Sequence, residues 1–108
     1  MYLVHVQLLA DHEATLPADT PAALMRCARP NEHVEHVALH LTNSQTVVLG
    51  VFLRASSLAE GERVAADVCR RALDTQPSLQ GFTMVSAAAG MPAAYYDRLL
   101  QDRPGEQP

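Results

Sequence analysis

A chain of 108 residues, 48% hydrophobic and 19% charged, is long enough to bury one layered core without disulfides or a structural metal, and it leaves no room for a second domain. The formal charge of −4 and a pI near 5.6 exclude nucleic acid and anionic membrane as expected partners. Those anionic surfaces call for a clustered basic patch, and only Arg70-Arg71 forms even a local basic pair.

Residues 2–10 alternate Tyr2, Val4, Val6, Leu8 against Leu3, His5, Gln7, Leu9, the period of a strand with one wholly apolar face. A polar connection follows over 11–19. Thr20-Pro21 then offers an N-cap with proline at the first helical position, and Ala22 to Arg29 predicts a short helix stopped by Pro30. The stretch Glu32 to Leu41 fits two periods. As a strand it sets Val37, Leu39 and Leu41 against His36, Ala38 and His40; as a helix it puts Val34, Val37, Ala38 and Leu41 on one stripe and His33, His36 and His40 on another. The strand is favoured, because the polar turn Thr42-Asn43-Ser44-Gln45 leads into the β-rich run Thr46 to Arg54 and so makes a hairpin. That run alternates Val47, Leu49, Val51, Leu53 against Val48, Gly50, Phe52, Arg54.

Ser57-Leu58-Ala59-Glu60 is a capping box opening a helix through Leu73, with Leu58, Ala65, Val68, Cys69 and Ala72 on one side. Pro77 and Gly81 punctuate, and Phe82 to Ala88 reads as a short last strand. Met91-Pro92 opens a further short helix in which Tyr95 pairs with Leu99 and Tyr96 with Leu100, and Arg103 to Pro108 frays.

The order strand, helix, strand, strand, helix, strand is that of an α+β, ferredoxin-like split βαβ sandwich (βαββαβ). It predicts a single domain over 1–90, a four-stranded antiparallel sheet with two helices on one face, then a C-terminal helical segment and tail over 91–108. Right-handed crossovers put the first and third strands in the centre and the second at an edge. The face turned from the helices then displays Leu3, His5, Gln7, Leu9, His36, Ala38, His40, Val48, Gly50, Phe52 and Arg54. That is more apolar surface than a monomer leaves in water, so a second copy, the Tyr95–Leu100 segment or a protein partner should cover it.

All eight basic residues are arginine, which excludes a Schiff-base lysine and a phosphate-loop lysine on this chain. Cys27 and Cys69 are too few for a four-cysteine cluster and sit in apolar helical stretches, where a free cysteine packs as a small hydrophobe. In the strand reading His36 and His40 lie about 13 Å apart, too far to share an ion. In the helical reading they are one turn apart and could grip a metal, with His33 nearby. With the strand favoured, no metal and no cofactor are expected. His5 is different: it projects from a central strand beside Gly50 and Phe52, and Gly50 should leave a hollow where a ligand approaches the backbone. A histidine there could act as general base, with Arg54 holding an anionic or enolate oxygen. The catalytic candidates are therefore His5 and Arg54, and the ligand-binding candidates His5, Gln7, His36, His40, Gly50 and Phe52.

In element order and in this semi-apolar face with scattered polar groups, residues 1–90 resemble the dimeric α+β barrel proteins, in which two such sheets close over one another. The resemblance implies a homodimer. That group holds small cofactor-free oxygenases, haem-degrading oxygenases, isomerases and members without known catalysis; its small oxygenases often use a cavity tryptophan, and this chain has none. Two functions are expected from this. One is a non-catalytic homodimeric binding protein or biosynthesis accessory protein, taking a small hydrophobic ligand or a partner protein. The alternative is a cofactor-independent oxygenase- or isomerase-like enzyme on a small aromatic or polyketide-like substrate. No apolar run approaches the roughly 20 residues of a membrane span. The start Met1-Tyr2-Leu3-Val4-His5 also lacks the basic region of a signal peptide, so the expected location is cytoplasmic.

Overall fold

Period-two hydrophobicity builds four strands, β1 (Tyr2–Ala10), β2 (Val34–Thr42), β3 (Thr46–Leu53) and β4 (Phe82–Ala88), and the intervening segments build helices α1 (Thr20–Cys27) and α2 (Leu58–Thr75). The computed structural model describes residues 1–11, 16–42 and 45–90. The strands form one antiparallel sheet in the order β2-β3-β1-β4. The ambiguous stretch before the hairpin is a strand. The expected helix after Met91 lies outside the described residues.

Both helices pack on the face that the sequence marks as apolar. One cluster joins Val4, Val6 and Leu8 of β1, Val37 of β2, and Val47, Leu49, Val51 and Leu53 of β3 to Leu24 of α1 and Val64, Ala65, Val68, Cys69 and Ala72 of α2. Burial of such side chains contributes about 25 cal/mol for each Å² of apolar surface taken from water. Leu39 shares the phase of Val37 yet is 42% exposed, whereas Val37 is 3% exposed. The cause is the length of α1. Eight residues make a helix of about 12 Å, less than half the roughly 30 Å of the nine-residue β2, so it cannot cover the whole of that strand.

Two helix starts differ from the pattern read in the sequence. Thr20 is the first residue of α1 rather than its cap; it is buried, and its hydroxyl donates to the Pro17 carbonyl at 2.7 Å. Ser57 does cap α2, accepting from the Glu60 N–H at 3.1 Å. The reciprocal half of the box is diverted, because the Glu60 carboxylate takes the Ser56 hydroxyl at 2.5 Å. Leu58, expected on the buried side of this helix, lies in its first turn and is 40% exposed.

Polar contacts lock the helices to each other. Arg71 of α2 makes a fork to Glu32, Nη1 to Oε1 at 3.0 Å and Nη2 to Oε2 at 2.9 Å, and Nη1 also donates to the Cys27 carbonyl at 2.7 Å. Glu32 Oε1 accepts the Arg29 N–H at 2.7 Å as well, so the end of α1, the 3₁₀ turn Pro30–Glu32 and α2 meet at one ion pair. The hydrogen bonds from Arg71 hold the Glu32 carboxyl below its usual range, against the opposing effect of burial. A depressed folded value means that this contribution is fully present above the unfolded carboxylate pKa of about 4.3 and is lost as pH falls through the folded value. Arg71→Met is therefore expected to lower the urea midpoint at neutral pH, with the gap to wild type closing as both are acidified below about pH 4. A gap that stays constant into acid would show that the ion pair is not its source.

The cysteines behave as core residues to different degrees. Cys69 is buried, and that burial pushes its thiol up to about 12, with the nearby Cys27 adding to the rise. Cys27 is half-buried at the end of α1. Native alkylation is expected to modify Cys27 alone, and Cys69 only after unfolding. Mass spectrometry of the digested adducts reads this directly, and early labelling of Cys69 would contradict the packing.

Candidate functional site

The face turned from the helices is organised around one glycine. Gly50, on β3, stands in register with His5 on β1 and with Ala38 on β2. A side chain at residue 50 would place its Cβ 2.5 Å from His40 Nε2 and 2.8 Å from His40 Cε1. The expected hollow above Gly50 is thus filled by the His40 imidazole. The reason is a β-bulge: register passes from Leu39↔Leu49 to Leu41↔Val48, leaving His40 as the extra residue, and a bulge re-aims the side chain that it carries. The His5 and His40 rings meet edge to face, centroids 5.3 Å apart and planes at 67°.

The centre of this face is closed to solvent. Val48 is 0% and His5 5% exposed, and Gly50 is buried. His5 Nδ1 lies 3.1 Å from the Ala89 carbonyl, and Ala89 is held in turn by its N–H, which donates to Glu62 Oε2 of α2 at 2.9 Å. A carbonyl only accepts, so Nδ1 carries the proton. In the neutral imidazole Nε2 is then an acceptor. It is buried, and no group among the described residues pairs with it. Burial, and secondarily the nearness of His5, holds the His40 imidazole below its usual pKa.

The remaining candidates lie further along the sheet. His36 packs on Phe52, ring centroids 5.7 Å apart, one strand period of about 7 Å from Gly50. Met1 and Glu35 complete a shallow depression of about 230 Å³ with these two rings. A second bulge, between Val34 and His36, singles out Glu35, whose Oε2 accepts from Arg54 Nε at 2.7 Å. Arg54 borders a depression of about 360 Å³ with His33, Ala55, Ser56 and Glu60. His33 holds the left-handed conformation at φ 55° where the chain turns into β2. Gln7 is half-buried, in register with Val48 and Ser86 on the other side of His5.

The structure therefore brings His5, His40 and Gly50 together, sets His36 with Phe52 as a neighbouring pair, and does not unite His5 with Arg54. Arg54 lies four positions along the chain from Gly50, about 13 Å, and its guanidinium is engaged by Glu35. Among the described residues no three His, Cys, Asp or Glu side chains gather as metal ligands, and no helix is long and apolar enough to cross a membrane. The sequence reading missed the His5–His40 contact, the Ala89 carbonyl that fixes the His5 tautomer, and the Glu35–Arg54 pair. Only the last had a local signal, opposite charges near the facing ends of a predicted hairpin. No family model, curated protein or solved structure matches the chain.

Proposed function

We propose that this chain is a ferredoxin-like split βαβ protein that works in the cytoplasm as a non-catalytic homodimeric binding or accessory protein. Its binding surface is the sheet face turned from the helices, and its ligand is a small hydrophobic molecule. The sheet order β2-β3-β1-β4 supports the fold assignment. One observation carries the binding reading: a buried histidine nitrogen, Nε2 of His5, lies unmatched among the described residues in the sheet centre beside Val48, Gly50 and the His40 ring. Leaving such an atom unpaired costs about 1–3 kcal/mol, and few convergent polar groups in apolar walls are the usual make-up of a small-molecule site. Leu9, on the same face and 39% exposed, supports a second copy as part of the cover.

The bond from Nδ1 to the Ala89 carbonyl also favours a second reading, in which His5 is a general base oriented by a fixed acceptor. Among the described residues it lacks an oxyanion partner, since Arg54 is committed to Glu35. Native mass spectrometry of the purified protein tests the first reading. A dimer carrying added mass is the expected result, and a bare monomer overturns it. His5→Ala separates the two readings, because loss of turnover with an intact dimer would favour the enzyme.

A further inference from the structure

The space above Gly50 already holds a flat ring. His40 reaches it from a bulge and lies so close that a Cβ at residue 50 would strike it, yet the ring is only half-buried and belongs to an edge strand. Turning His40 outward would uncover a ring-sized slot floored by the bare backbone of Gly50 and walled by His5. The wall presents one polar atom, Nε2, which is an acceptor in the neutral imidazole that carries its proton on Nδ1. Its occupant must donate.

Charge narrows the class. A carboxylate or phosphate in the slot would find its nearest cation on this face among the described residues, Arg54, about 13 Å along the strand and paired with Glu35. Desolvating an anion without a partner is more costly than any single hydrogen bond repays. We infer that the slot is built for a flat, uncharged ring bearing one O–H or N–H donor, which displaces the His40 ring above Gly50 and donates to Nε2 of His5. Glu62 serves as a positioning residue, because it anchors Ala89, whose carbonyl sets the His5 tautomer.

This inference rests on the binding reading above, and the test separates the two. The wild-type protein is titrated with phenol, with anisole, which has the ring but no donor, and with benzoate, while the ¹⁵N resonance of His5 Nε2 is followed by NMR. Phenol is expected to bind at least about fivefold tighter than anisole, the worth of one net hydrogen bond, and to shift the Nε2 resonance as anisole does not. His40→Ala is expected to bind phenol more tightly still, since no ring has to leave. Equal affinities for phenol and anisole, with Nε2 unmoved, overturn the donor inference and leave the binding reading standing. Tightest binding by benzoate overturns the uncharged class. Phenol affinity unchanged in His40→Ala places the ring elsewhere and overturns the slot. Failure of all three probes, in wild type and variant alike, overturns both readings.

Discussion

Replacing Leu49 by alanine is expected to destabilise the fold by about 3 kcal/mol, within the usual range for emptying a fully buried leucine site. Leu49 is 0% exposed at the middle of β3, in register with Val6 on β1 and Leu39 on β2, and belongs to the cluster that both helices close over. The lost side chain removes transfer energy, and the rigid strands on either side limit how far the cavity can collapse. Domains of this size are stable by roughly 5–15 kcal/mol, so the variant should remain folded with a melting temperature lower by about 12 to 24 °C. Leu39→Ala is the control. It deletes the same atoms from the residue opposite, which is 42% exposed, and should cost under about 1 kcal/mol. Equal losses from the two variants, measured by urea unfolding, would contradict the uncovered end of β2.

That pair of leucines also marks the limit of what hydrophobic periodicity can report. The strand β1 begins and ends where the alternation does, β4 starts after the punctuating Gly81, α2 starts at its Ser57 cap, and the histidine-rich stretch is a strand because a polar turn and a β-rich run follow it. These are local signals, written within a few residues of the element they set. Leu39 has the same local pattern as Val37, and its exposure is decided by the length of α1, an element elsewhere in the chain. Thr20 looks like a cap by composition; it is inside the helix because its hydroxyl finds Pro17 instead.

The candidate site was legible as a list of residues but not as an arrangement. Placing His5, Gly50 and Phe52 on one face needs only the count of alternation. The association of His40 with Gly50 depends on a bulge, and a bulge is a property of two paired strands that neither announces alone. The bulge converts the expected hollow into a filled slot and sets the His40 ring against His5.

The glycine beneath that ring gives the second large effect. Gly50→Ala is expected to destabilise the wild-type background by about 1–2 kcal/mol, the lower part of the overpacking range, because the atoms struck are the far edge of a side chain that can rotate away. Removing the ring should reverse the sign. In a His40→Ala background the added methyl meets no imidazole, and alanine is favoured over glycine inside a strand by about 0.5–1 kcal/mol. The two substitutions should therefore couple by about 2 kcal/mol, well beyond the error of additivity for independent sites. In Gly50→Ala the displaced His40 ring regains water, and the burial that lowers its pKa is relieved. Its NMR titration midpoint should accordingly move up toward that of a hydrated histidine. Additive stabilities together with an unmoved His40 titration would show that the ring does not rest on Gly50, and the slot proposed for a ligand would lose its floor.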